Sequence, residues 1–326
     1  VTARPQRSLL DRRLVIVTGK GGTGKTTVAA SLAVAAAASG RRALAVEVGR
    51  DEHLPRLLAP GAPEVGYTGA ELIPGLHAVR VDPYAALEEY LTLQLRVRVV
   101  VERTIRNRAF RQLLEAAPGW RELITLGKVW DFERMTEPDG SPRFDLIVVD
   151  APATGHGLAF LDVPRVVASA VRAGPLHRHA EWVEELVRDS DRTLLLPVTL
   201  AEELPVRETV ELVTRARSEL RVAVDRVVVN AVVPPPFPAG APDLDARLAR
   251  LPALRGLPDP QVMASCAAQV RERSELNRQY AQEVARDTEL PAVELPFLTE
   301  GIQGVDDLRR LAASLLEHQD PGLEAA

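Results

Sequence analysis

The sequence predicts an α/β protein with a doubly wound, mostly parallel sheet and a helical insertion. Three observations carry this expectation. Short apolar runs alternate with helical patterns along the 326 residues. The first run stops at a glycine-rich loop that leads into an Ala-rich helix. Two later runs end in a polar residue, Asp150 and Asn230, at the strand end where open α/β sheets bind ligands.

Leu14-Val15-Ile16-Val17 is a continuous apolar run, the pattern of a strand buried on both faces. Gly19 to Thr27 forms the loop, Val28 to Ser39 the helix, and Gly40 fits just past its end. Ala43 to Val48 is a second strand, so the chain opens with one βαβ unit. Further strands are expected at Phe144–Val149, Thr193–Val198, Arg226–Val229 and Ala292–Leu295. A helical pattern runs from Leu204 to Leu220, and Leu308–Glu317 reads as a closing amphipathic helix. Residues 82–135 break the alternation and read as a helical insertion, with Leu87, Tyr90, Leu91 and Leu95 at helical spacing. Residues 234–260 are proline-rich and read as a loop holding one short helix, Leu244–Leu251. The whole chain, 1–326, is read as one domain.

Lys plus Arg number 40 and Asp plus Glu 45, a net charge of −5 that speaks against a nucleic-acid partner. Cys266 stands alone, which excludes an internal disulfide framework and a cysteine-rich metal site. Val1 to Arg13 are basic, but the apolar run after them is too short for a signal peptide. The Ala-rich run Val28–Ala38 is too short to span a bilayer. The expectation is a cytoplasmic protein with no integral membrane segment.

Gly19-Lys20-Gly21-Gly22-Thr23-Gly24-Lys25-Thr26 matches G-x-x-x-x-G-K-[ST] between an apolar strand and a helix. Glycines let backbone N–H groups turn inward around phosphate oxygens, and the helix adds the positive end of its dipole. Gly21, Gly22, Thr23, Gly24, Lys25, Thr26 and Thr27 are therefore expected to bind the phosphates of ATP or ADP, and Thr26 to ligate Mg²⁺. Lys20, a second lysine after the first glycine, is not needed by the ordinary cradle. In the deviant Walker A class such a lysine reaches across a dimer interface to the facing subunit's phosphates. Asp150, at a strand end, suits a Walker B carboxylate near the metal. The small residues from Ala151 to Gly157 suit a moving switch loop.

At these residues the chain resembles the ArsA-type ATPases. The motifs are Gly19–Thr27, Asp150 through His156, the strand ending at Asn230, and Leu295-Pro296-Phe297 with Glu300-Gly301-Ile302. Phe160–Val163, Gly174–His177 and Leu204–Thr209 look most like the actinobacterial branch of that family. The resemblance implies a P-loop NTPase fold, Mg-dependent ATP hydrolysis and a nucleotide-bound homodimer, or a heterodimer with a paralogous ATPase. It also implies an unknown protein client. By position, Asn230 would read the adenine edge, with Pro296 and Phe297 bordering the base.

Three departures refine the expectation. The family's switch I carries an Asp that positions the attacking water, and the counted equivalent here is Gly49. Glu47 is nearby and either substitutes as the base or serves as a structural carboxylate; Asp51 is the other candidate. Lys20, Lys25 and Glu47 are thus the candidate catalytic residues, and slow basal turnover is expected. The alternative is a weakly hydrolytic regulatory subunit that pairs with an active paralogue. Cys266 alone supplies neither the thiolates for arsenite nor a cysteine pair for a zinc-linked dimer, so neither partner is expected. Only two methionines, Met135 and Met263, are present to line an adaptable groove for varied transmembrane helices. His177 and His179 form a His-x-His pair without a third ligand series, and Trp120, Trp130 and Trp182 read as core or interface anchors.

Overall fold

The computed structural model describes residues 7–49, 53–95, 97–117, 119–152, 157–237, 244–252 and 258–317. In chain order the elements are β1 (Leu14–Thr18), α1 (Lys25–Ala38), β2 (Ala43–Val48), α2 (Leu54–Leu58), β3 (Ala70–Ile73) and β4 (Leu76–Val81). The helices α3 (Pro83–Leu95), α4 (Arg98–Arg106), α5 (Arg108–Ala116) and α6 (Trp120–Arg134) follow. Then come β5 (Leu146–Asp150), α7 (Gly157–Ala170), α8 (Pro175–Arg188), β6 (Thr193–Leu200) and α9 (Glu203–Arg215). The chain ends with β7 (Val227–Val232), α10 (Leu244–Leu248), α11 (Pro260–Thr288), β8 (Ala292–Pro296) and α12 (Val305–Glu317).

Among the described residues, eight strands form one sheet in the order β3-β4-β2-β5-β1-β6-β7-β8. Every pairing is parallel except β3 with β4. The expected α/β architecture with a helical insertion is what forms. Strand β1 lies at the centre, with Leu14 paired to Ile147 on one side and Thr193 on the other. The chain leaves β1 toward β2 on one side and later crosses to β6 on the other. That reversal opens the crevice at the carboxyl edge beyond β1.

Burial on both faces explains the continuous apolar runs. Leu14 and Ile16 point into one core with Ile147, Val149 and Leu195, beneath buried residues of α6, α8, α9 and α11. Val15 and Val17 point into the other core, beneath α1 and α12. Helix α1 is apolar nearly all round because it is sandwiched, and Val28 to Ala36 are all buried. Its alanines let the backbone lie close to the sheet. Helix α12 presents Leu308, Leu311, Ala312 and Leu315, one helical stripe, to that same core.

Several boundaries differ from the sequence reading. The hairpin β3–β4 was not anticipated; its signal is Pro74-Gly75 between two short runs, on an edge where four-residue β3 is largely exposed. The pattern at Leu204–Leu220 divides into α9 and a π-helical turn, Ala216–Leu220, closed by Arg221 at φ 57°. Within residues 234–260, the helix described is α10 only, and Pro260 begins the 29-residue α11 at its first turn. No helix among the described residues is long and apolar enough to cross a membrane.

Candidate functional site

The loop after β1 crosses the carboxyl edge of the sheet and is held there by backbone geometry. Gly19 has φ +146°, and a Cβ there would fall within 3.0 Å of the Val198 carbonyl on β6. Gly24 caps α1 at φ +88°, and a Cβ would meet the Asn230 amide within 3.0 Å. Both positions demand glycine twice over, for conformation and for space.

Inside this loop the polar groups converge. Lys25 is buried, and its Nζ donates to the Lys20 carbonyl at 2.9 Å. Thr23 Oγ1 donates to the same carbonyl at 2.9 Å. Thr26, in the first turn of α1, donates its hydroxyl to Asp150 Oδ2 at 2.6 Å. Asp150 closes β5, and its register partner on β1 is Val17. The expected metal pair, Thr26 and Asp150, is therefore brought into direct contact.

The electrostatics set burial against neighbouring charges. Burial raises the Asp150 pKa from the ordinary aspartate value, against the Thr26 hydrogen bond and the Lys25 charge. Burial lowers the Lys25 pKa, against the pull of Asp150. Asp150 Oδ1 is buried and has no hydrogen-bond partner among the described residues. A buried carboxylate oxygen without a partner is costly, and a divalent cation is the group that would satisfy it. The residues present fit Mg²⁺ on that ground.

Asn230 lies on β7 beside the loop, and its Nδ2 donates to the Thr23 carbonyl at 2.9 Å. Pro296 ends β8 opposite Val232, and the Phe297 amide donates to the Val232 carbonyl at 2.8 Å. Phe297 keeps its ring about half exposed at this edge. All three residues thus sit at the carboxyl edge next to the glycine loop.

Glu47 is the register partner of Asp150 across the β2–β5 pair and is buried. Its two carboxylate oxygens accept from the His53 amide at 2.9 and 3.0 Å, and Oε2 also accepts from the Leu54 amide at 3.3 Å. Both donors are at the start of α2, whose first N–H groups have no partner within the helix. Burial raises the Glu47 pKa, and those two amides oppose the rise. The carboxylate is thus occupied as a cap. Gly49 follows β2 with no side chain to orient water. Asp51 and the segment Thr154-Gly155-His156 lie outside the described residues.

Lys20 finds its partner outside the loop. Its Nζ pairs with Glu208 Oε1 of α9 at 2.8 Å. Sequence reasoning missed Glu208 as a neighbour of the loop. The signal available was that residues 204, 205, 211 and 212, three or four positions away, carry no positive charge. Lys20 and Glu208 stand at a cleft of about 580 Å³ between the loop, α7 and α9, lined also by Leu158, Asp162, Leu212 and Arg215.

The two histidines on α8 do not converge on one point. His177 Nδ1 lies 3.0 Å from the Ala168 carbonyl, and its Nε2 lies 3.2 Å from Glu181. His179 is buried against Tyr90 and Trp130. Trp130 and Trp182 stack at 5.1 Å, and Trp120 packs edge-on against Tyr84. Cys266 is exposed on α11.

The family model for the anion-transporting ATPase matches residues 12–178, a span that contains the glycine loop, Glu47 and Asp150. ATPase BagA of Mycobacterium tuberculosis is 32% identical over 320 residues, covering 94% of this chain and 93% of that protein. The putative arsenical pump-driving ATPase of Halobacterium salinarum is 25% identical over 325 residues, 94% of this chain and 44% of that protein. The arsenical pump-driving ATPase of Escherichia coli is 26% identical over 242 residues, 67% of this chain and 39% of that protein. With a relative aligned nearly end to end and a family match running through both the loop and its carboxylate, the chain belongs to the ArsA-type anion-transporting ATPase family.

Proposed function

We propose that this ATPase binds Mg-ATP in the glycine loop, closes as a dimer around it, and couples slow hydrolysis to a client or partner protein. The observation that carries the reading is the buried contact between Thr26 and Asp150, with one carboxylate oxygen unpartnered among the described residues and Lys25 nearby. In this reading Lys25 holds the β and γ phosphates, with the amides of Gly21 to Thr27 turned toward them. Thr26 and Asp150 would hold Mg²⁺, which would supply positive charge against the phosphate oxygens. Asn230 has two amide hydrogens, so it can brace Thr23 and still donate to a base edge, with Pro296 and Phe297 beside the base. Lys20 acts on the facing subunit.

Slow turnover follows from two features on one strand end. Gly49 offers no carboxylate, and Glu47 is engaged by the His53 and Leu54 amides. We assign Glu47 the structural role, holding the start of α2 against the metal-binding edge. The same pair of features favours a second reading, in which this chain is the weakly hydrolytic member of a heterodimer with a paralogous ATPase.

Lys25→Ala tests the core of the proposal. Titration calorimetry with Mg-ATP and with Mg-ADP is expected to show binding by the unaltered protein and none by the variant. Unchanged affinity in the variant would remove the nucleotide from this loop.

A further inference from the structure

We propose that Glu208 is a positioning residue that latches Lys20 in the single chain and gives it up when two chains meet around nucleotide. The inference rests on the reading of Lys20 as a trans-acting lysine. It names a residue, outside the loop, that governs when that lysine is free.

The geometry divides Lys20 into two halves. Its backbone carbonyl is fixed inside the loop by Thr23 Oγ1 and Lys25 Nζ, each at 2.9 Å. Its side chain ends outside the loop, on Glu208 of α9 at 2.8 Å. The lysine's ammonium is thus engaged outside the loop by a carboxylate of its own chain.

Glu208 is placed for this and for nothing within its helix. The other acidic residues of α9 and the following turn have helix-borne partners: Glu203 with Arg207 at 3.7 Å, and Glu211 and Glu219 with Arg215 at 3.9 and 3.1 Å. Glu208 has no cation three or four positions away, and its partner arrives from 188 residues upstream. The helix beneath it is rigidly seated, since Val206, Thr209 and Val213 are buried at 0%, 4% and 1% exposure. One half of the latch is therefore a carboxylate carried on a seated helix, and the other is a flexible four-carbon arm.

The strength suits a latch. Lys20 and Glu208 are 37% and 44% exposed, so water screens their attraction and the pair opens readily. A triphosphate presented by a facing chain offers several charges in place of one. The exchange frees Glu208 at the mouth of the cleft formed with α7, so release of Lys20 also changes the charge of that surface.

The test is ATPase turnover at saturating Mg-ATP as a function of protein concentration, for the unaltered protein, Glu208→Gln, Lys20→Ala and the double variant. Glu208→Gln is expected to lower the protein concentration for half-maximal turnover about two- to fivefold, the scale on which exposed pairs act. Nucleotide affinity measured on the dilute single chain stays unchanged. Moderate salt narrows the difference between the two proteins, and the double variant gains nothing over Lys20→Ala. An unshifted concentration dependence in Glu208→Gln, or a fall in its maximal turnover, would overturn the latch while Lys20→Ala still abolishes activity. Full turnover in Lys20→Ala would overturn the trans-acting lysine and the latch together.

Discussion

Replacing Glu47 by Gln separates a cap from a base. The side chain is 5% exposed, and its carboxylate takes the His53 amide on both oxygens and the Leu54 amide on one. Gln keeps the shape but turns one acceptor into a donor that faces amide donors. Hydrogen bonds to a charged acceptor contribute about 1.5–3 kcal/mol each, and losing one engagement costs about that much. An unfolding entropy of about 2.1 cal/mol/K per residue over 326 residues is about 0.7 kcal/mol/K, so Tm should fall by about 2–4 °C. Turnover per bound ATP should stay within about twofold, because a cap makes no contact unique to the transition state. Calorimetric unfolding and single-turnover hydrolysis on the same preparation read both quantities. A drop of 10²-fold or more in turnover with Tm unchanged would refute the cap and make Glu47 the base.

Two further outcomes are expected. Gly19→Ala forces a side chain against the Val198 carbonyl at a positive φ, which should cost about 1–3 kcal/mol in thermal unfolding and weaken Mg-ATP binding in calorimetry. Burial lowers the His179 pKa below its ordinary 6.5, so the folded chain takes up its proton at lower pH than the unfolded chain does. Its stability contribution is complete above about pH 6.5 and is lost as pH falls from there toward the folded value. Tm measured across that window should fall more steeply in the unaltered protein than in His179→Gln, and parallel slopes would remove His179 as the cause.

What the sequence disclosed about the fold follows local rules. The first βαβ unit was readable because β1 is apolar on both faces and stops at a glycine loop. The strands that carry Asp150 and Asn230 were readable for the same reason, although β7 does not end at Asn230 as expected but runs on to Val232. The β3–β4 hairpin escaped because β3 is four residues long and half-exposed at the sheet edge, so it has no apolar run. Within the site, the contact of Thr26 with Asp150 was foreseeable from two motifs. The engagement of Glu47 was not, because it depends on where the chain re-enters as α2 six residues on. Nor was Glu208 legible as a partner of Lys20, since only the α9 crossover brings them together.

The central position of β1 has a consequence for how the protein is made. Leu14 must wait for Ile147 on one side and Thr193 on the other before its backbone groups are paired. At about 5–20 residues per second, the ribosome needs roughly ten to forty seconds to deliver that second neighbour. Until β5 is made both edges of this apolar strand are bare, and until β6 is made one still is, so the glycine loop after it has only part of its sheet to rest on. Nucleotide therefore cannot rescue an early folding intermediate of this chain. Agents that shield exposed strands, rather than ATP itself, should set its yield during synthesis.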